Sequence, residues 1–279
     1  MKAIFLDCND QLGPIFQRVI RADDPPIAVN MEPYDRAHIP QLLDGYGIVL
    51  DDHSYLPTDV VAQCKSLKHV VFLGTGAASY MNIAELAGLG VTVHTIKGYG
   101  DTAVAEHTIA LMWAACRDLA RMDRDVRAGV WETREGVQLL GKTLGVIGMG
   151  GIGREVARIA KGMGMNVIGW NRSKLADAPV PMVSIDELLA QSDVVSINLV
   201  LNDETHHFLD AKRIAMLKPT CILVNTARGA LLDEAALVDA LERGAILHAG
   251  LDVFDREPLA ADHPLTRLDN VTLSAHSAF

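Results

Sequence analysis

Cysteine is scarce in this chain, and its scarcity excludes several readings at once. Only Cys8, Cys64, Cys116 and Cys221 occur among 279 residues. No Cys-x-x-Cys pair and no metal-ligand spacing appears among them, which excludes a zinc module and a disulfide-stapled scaffold. They are expected to be reduced, buried side chains, and no metal is expected. Positive charge is short as well: 25 Lys and Arg face 35 Asp and Glu, a net charge of −10. Nucleic acid or an anionic membrane surface demands the opposite sign. No apolar run approaches transmembrane length, no signal-peptide pattern opens the chain, and no repeat or low-complexity tract interrupts it, so a cytoplasmic location is expected. What remains is the composition of a globular enzyme, 49% hydrophobic and 22% charged, long enough for two domains.

The most informative stretch runs from Gly141 to Ser173. The apolar run Leu144 to Ile147 reads as a buried parallel strand. Gly148, Gly150 and Gly153 follow as G-x-G-x-x-G, and a helix begins at once, its apolar positions Ile152, Val156, Ile159, Ala160 and Met163 recurring at helical spacing. Gly162 and Gly164 punctuate its end, and Asn166 to Trp170 reads as the next strand. This strand–helix–strand context turns a glycine pattern into a dinucleotide fingerprint. Gly148 permits the tight turn, Gly150 lets a pyrophosphate approach the backbone, and Gly153 lets the helix pack on the strand. The helix N-terminus would hold the phosphate charge, so Gly148, Gly150, Gly151, Ile152 and Gly153 are expected to bind cofactor.

Before this unit, strand-like runs at Ala3 to Leu6, Ile27 to Asn30, Gly47 to Leu50, Val70 to Leu73 and Val91 to His94 alternate with helical segments. They predict a small parallel sheet covered by helices, without a complete glycine fingerprint, and therefore a substrate domain over residues 1–97. Ile96 to Asp101 reads as the hinge. Asp101 or Thr102 can cap a long helix running to about Val126. Further strand-like runs at Val194 to Leu199, Cys221 to Asn225, Ile246 to Leu251 and Val271 to Leu273 make residues 98–279 a doubly wound α/β cofactor domain. Three of these runs end in polar residues, where open α/β sheets place their ligands: Arg228 in Asn225–Gly229, then Asp252 with Glu257, then Ser274-Ala275-His276. An arginine, a carboxylate and a histidine around a nicotinamide make a complete site for reducing a 2-keto acid. Arg228 can fork onto a substrate carboxylate. His276 can protonate the carbonyl oxygen, and Glu257 can bond its other ring nitrogen and fix the tautomer.

With these residues in view, the chain resembles the D-isomer-specific 2-hydroxyacid dehydrogenase family over almost its whole length. The likeness rests on LGTG (Leu73 to Gly76), TAVAEHTIAL (Thr102 to Leu111), the glycine fingerprint, NTARGALLDE (Asn225 to Glu234), GLDVFDREPL (Gly250 to Leu259) and the terminal SAHSAF. It implies a Rossmann cofactor domain, a smaller flavodoxin-like parallel α/β substrate domain, and Arg228, Glu257 and His276 as catalytic residues. It further implies cofactor contacts from Val104, Leu199, Val200, Thr226, Ala227 and Asp252, and substrate contacts from Leu73, Gly74, Thr75 and Gly76 besides Arg228 and His276. A homodimer is implied too, through the long helix with its Ile109, Met112, Trp113 and Cys116, and through the segment containing Trp131.

Departures from the pattern carry information. NAD-specific sites expect an acidic residue after the second cofactor strand. Here Asn171, Arg172 and Ser173 stand there, without a carboxylate to repel a 2′-phosphate, so NADP is expected before NAD. Asp51-Asp52-His53 replaces the arginine found where family members take phosphorylated substrates, so glyoxylate or hydroxypyruvate is expected before phosphoglycerate. Family members continue past the histidine into a segment that returns to the substrate domain. The sequence stopping at Phe279 is expected either to omit that segment or to close the domain differently. Two other readings share the framework: a dinucleotide-sensing corepressor, and a formate or phosphite dehydrogenase. His53, His107, His206 and His207 are expected to be helix-face or surface residues.

Overall fold

A computed structural model describes residues 1–74, 76–96 and 98–278, and the chain divides into two compact units, Met1–Tyr99 and Gly100–Phe279. The Tyr99 hydroxyl donates to the carbonyl of Leu73 within the first unit.

The first unit holds five parallel strands, β1 (Ala3–Phe5), β2 (Ile27–Val29), β3 (Ile48–Asp51), β4 (His69–Phe72) and β5 (Thr92–Thr95), in the order β2-β1-β3-β4-β5. That is the flavodoxin order. Helices α1 (Leu12–Val19), α2 (Ile39–Leu42), α3 (Thr58–Val61) and α4 (Ile83–Gly88) accompany it. One sheet face is buried at its centre, with Val49, Val70 and Phe72 packed among Leu43, Val60 and Leu86. The other is half-buried at Ile48, Leu50, His69 and Val71. Helix α3 is a single turn. Strand β3 reaches one residue further than expected and carries Asp51 into the interior.

The second unit begins with α5 (Asp101–Cys116) and α6 (Leu119–Arg127). These replace the single long helix expected from the sequence, because Asp118 takes a left-handed backbone, φ 52°, that breaks it. Aspartate is among the few residues that accept that conformation. The N-cap of α5 is Gly100, with Asp101 in the first turn rather than capping. Strands β6 (Thr143–Ile147), β7 (Asn166–Trp170), β8 (Val194–Ile197), β9 (Ile222–Asn225), β10 (His248–Leu251) and β11 (Val271–Leu273) form a parallel sheet ordered β11-β10-β9-β8-β6-β7. Met182 adds a one-residue parallel bridge to Gly169 beyond β7. With it the order is that of a Rossmann sheet, and the switch point lies between β6 and β8. Helices α7 (Gly151–Gly162), α8 (Ile185–Gln191), α9 (Ala211–Ile214) and α10 (Glu234–Glu242) complete the unit, α10 capped by Asp233 through the Ala236 N–H.

Helices cover both sheet faces, which is why every residue of β8, β9 and β10 is buried. Leu144, Val146, Val194 and Val224 pack with residues of α5 and α7. Ile147, Val195, Ile197 and Leu223 pack with residues of α8 and α10. Ile109, Met112 and Cys116 of α5 belong to this unit's own core and not to an uncovered face. Apolar exposure falls instead just beyond, at Leu119, Val126, Val130 and Trp131, the last 87% exposed.

Candidate active site

The turn after β6 is built from glycines because nothing else fits. Gly148 has φ 94°, and a Cβ there would overlap the carbonyl of Asn198; at Gly153 it would overlap the carbonyl of Gly148. At Gly150 a Cβ would meet nothing within 4 Å, so open space adjoins the start of α7, which has no side-chain cap on its first-turn N–H groups. The helix N-terminus and its positive dipole suit a pyrophosphate on the open side at Gly150, while the Asp101 carboxylate stands against Gly151. Across the switch point, the buried Oδ1 of Asn198 lacks a hydrogen-bond partner among the described residues. An unsatisfied buried acceptor beside the glycine turn is a second feature that suits a bound dinucleotide.

The catalytic candidates come from three adjacent strand ends. After β9, the Asn225 side chain clamps its own loop: Oδ1 accepts from the Ala227 N–H, and Nδ2 donates to the Arg228 carbonyl at 2.9 Å. Half-buried Arg228 donates through Nη1 to the Ala227 carbonyl at 2.6 Å. The next residue, Gly229, lies so close to the backbone of Phe254 and Asp255 that a Cβ would overlap it. The Phe254 N–H donates to Glu257 Oε1 at 2.9 Å, and Glu257 Oε2 lies 2.6 Å from His276 Nδ1. A continuous run of contacts therefore links the Arg228 loop to Glu257 and His276. A cavity of roughly 660 Å³, lined by Phe254, Glu257, Pro258, Leu259, Leu273 and Ser274–His276, opens beside the histidine. That volume suits a small molecule.

Other expected contacts fall into place unevenly. Thr226 is buried, with its hydroxyl 2.7 Å from that of Thr108, which donates to the carbonyl of Val104 on α5. Leu199 is half-buried and Val200 is 72% exposed. Asp252 is wholly buried, and its carboxylate accepts from the N–H groups of Ser277 and Ala278 and from the Ser274 hydroxyl. His107 is not a bystander: Nε2 stands 3.1 Å from Ser274 Oγ and 3.3 Å from Asp252 Oδ1. Helical spacing carried a signal for it, since it lies three residues after Val104 and therefore on the same side of α5. His206 and His207 stack on each other.

At the end of β7, Asn171 has an architectural use. Its Oδ1 accepts from the Met149 N–H and its Nδ2 donates to the Ser173 carbonyl, a bond that an aspartate could not make. Arg172 forms an ion pair with Glu204, from the loop after β8. The expectation that no carboxylate stands near this turn is therefore overturned: Glu204 is brought there from outside the local sequence.

In the first unit, Leu73 donates its N–H to the Asp51 carbonyl, and Gly74 lies against the Phe72 ring. Gly76 precedes a short 3-10 turn, and Thr75 lies outside the described residues. Asp51 is wholly buried, and burial together with the neighbouring Asp7 charge pushes its carboxyl up to about 8. It is therefore mostly neutral at pH 7, and any repulsion of phosphate rests on half-buried Asp7 and Asp52. Asp7 accepts from the backbone N–H groups of Asp52 and His53 and from the Ser54 hydroxyl.

Residues 109–278 match the family described as D-isomer specific 2-hydroxyacid dehydrogenase, NAD binding domain. A glyoxylate reductase from Aeropyrum pernix is 40% identical over 233 residues, covering 79% of this chain and 69% of that enzyme. A hydroxypyruvate reductase from Thermotoga maritima is 36% identical over 234 residues, covering 82% of this chain and 76% of its own. D-3-phosphoglycerate dehydrogenases stand among the other relatives. An acyclic imino acid reductase, solved in complex with NADPH and D-Arg, superposes with a TM-score of 0.88 at 28% identity, covering 100% of this chain and 90% of that one.

Proposed function

Since the chain belongs to the D-isomer-specific 2-hydroxyacid dehydrogenase family, a group of nicotinamide-dependent oxidoreductases, we propose that it reduces a small 2-keto acid, glyoxylate or hydroxypyruvate, with NADPH. The observation that carries this reading is the 2.6 Å pair between His276 Nδ1 and Glu257 Oε2, joined through Phe254 and Gly229 to the Arg228 loop. Arg228 takes the substrate carboxylate with its guanidinium fork. With Nδ1 bonded to Glu257, the ring faces the carbonyl oxygen through Nε2 and delivers the proton that completes the hydroxyl. Glu257 keeps the ring oriented and offsets the charge of the imidazolium. When bound on the glycine turn, the reduced nicotinamide supplies the hydride to the carbonyl carbon. Gly148, Gly150, Gly151, Ile152 and Gly153 would hold its pyrophosphate through backbone N–H groups.

NADPH is favoured by magnitude. The Arg172–Glu204 pair is exposed on both sides, so it contributes about 0–1 kcal/mol. A charge-assisted bond from Arg172 to a 2′-phosphate contributes about 1.5–3 kcal/mol, enough to displace Glu204. Residues 1–97 would take the substrate side and 98–279 the cofactor. A homodimer would use the apolar exposure at Leu119, Val126, Val130 and Trp131. Steady-state reduction of glyoxylate, hydroxypyruvate, pyruvate, longer keto acids and phosphohydroxypyruvate with both cofactors tests the reading. Turnover confined to the phosphorylated acid, or confined to NADH, would refute its finer parts. No turnover with any of them would favour a dinucleotide-sensing binding protein.

A further inference from the structure

His276 sits in a turn, Ser274–Ala278, that belongs to no strand or helix, and its own backbone lies at φ 49°. A non-glycine residue rarely adopts that conformation, which persists only where the surroundings over-determine it. Asp252 supplies much of that constraint. Its main-chain carbonyl accepts from the His276 N–H at 2.8 Å. Its carboxylate accepts from Ser277 N–H at 2.9 Å, Ala278 N–H at 3.0 Å and the Ser274 hydroxyl at 2.5 Å. Around one buried aspartate, Ser274, Ser277 and Ala278 on either side of His276 are tied down.

Hydrogen counting then assigns a role to His107. A carboxylate only accepts, so the one hydroxyl hydrogen of Ser274 is committed to Asp252. Ser274 Oγ can offer His107 nothing but a lone pair. Nε2 of His107, 3.1 Å from Ser274 Oγ, must therefore carry a hydrogen and donate it to Ser274, with Asp252 Oδ1 3.3 Å away as a charged neighbour. This brings α5 into the network as a third element, alongside the ends of β10 and β11.

We infer that His107 is a positioning residue: its Nε2–H, donated to Ser274 beside the Asp252 carboxylate, locks the turn that presents His276 to the substrate. The inference rests on the reading of His276 as the proton donor. A donor displaced by about 1 Å loses about a hundredfold in rate, so partial release of the turn should fall within that bound.

The test replaces His107 by leucine, which fills space without a donor, and by glutamine, which returns an N–H. His107→Leu should lower kcat for keto-acid reduction about ten- to a hundredfold, while KM for the keto acid changes by less than about twofold because Arg228 is untouched. His107→Gln should recover most of the loss. Hydrogen exchange at the Ser277 and Ala278 amides should quicken in the leucine variant and slow again in the glutamine one. Ser274→Ala, which severs the relay one atom further on, should reproduce the fall in kcat. A wild-type kcat in His107→Leu or Ser274→Ala overturns the proposal, as does a folded His107→Gln no better than leucine. If the wild-type protein reduces no keto acid, the reading of the site fails instead, and the exchange rates still decide whether His107 holds the turn.

Discussion

Nδ1 of His276 and Oε2 of Glu257 stand 2.6 Å apart, which commits one ring nitrogen to the pair and confines the ring's chemistry to the other. His276→Ala should therefore cost roughly a hundredfold or more in turnover, with cofactor affinity nearly unchanged. Arg228→Ala should abolish most turnover as well. Full activity in His276→Ala would remove it as the proton donor.

Glu257→Gln keeps the shape of the pair and removes its charge. The ring loses the charged acceptor that orients it, so kcat for reduction should fall about tenfold or more while KM for the cofactor stays nearly unchanged. A wild-type kcat in Glu257→Gln would separate Glu257 from the proton-transfer step.

Cofactor choice should follow Arg172. Arg172→Ala should raise KM for NADPH about ten- to a hundredfold, the equivalent of about 1.5–3 kcal/mol, and scarcely alter it for NADH. Asn171→Asp should favour NADH by supplying a ribose acceptor, at some expense to the turn, because Asp cannot donate to the Ser173 carbonyl. Specificity constants for both cofactors decide the matter.

Buried His248 gives the fold an acid sensitivity. It lies 2.9 Å from Thr272 Oγ1, and desolvation lowers its pKa from 6.5 to about 4. Between those values the unfolded chain binds a proton that the folded one refuses, so stability falls as the pH drops through that window. At about 1.4 kcal/mol per pH unit, the loss is roughly 3 kcal/mol. Buried Asp51, held protonated by the fold, acts with the opposite sign over the same range, so the slope should appear as the difference between wild type and His248→Val in denaturant titrations from pH 7 to pH 4.

Sedimentation at micromolar concentration should give a dimer mass, and Trp131→Asp should lower it to that of a monomer. A monomeric wild-type protein would refute the assembly.

The sequence made the parallel order of the second unit legible because its strands are short apolar runs, and glycine spacing marked the turn at β6. The catalytic candidates were legible because Arg228, Glu257 and His276 each follow such a run. What stayed hidden depends on contacts between distant segments. Glu204 meets Arg172 from 32 residues away, and His107 reaches Ser274 across 167. The break at Asp118 depends on a left-handed backbone that composition does not announce. The face of α5 looked uncovered only because its partners, including Val156 and Ala160 of α7, lie further along the chain.

The Met182 bridge carries a consequence for solubility. A parallel sheet whose outermost strand is long and apolar offers its free backbone groups as a template for another chain, the route to aggregation. Here the Rossmann sheet ends beyond β7 in one paired residue, held by Gly169 donating to the Pro181 carbonyl and accepting from the Val183 N–H. That satisfies the backbone of Gly169 and leaves too short a ledge for a foreign strand to extend. At the opposite margin β11 stops after three residues, where the chain turns aside to carry His276. The turn that presents His276 thus also blunts an adhesive edge, so loosening it should promote self-association.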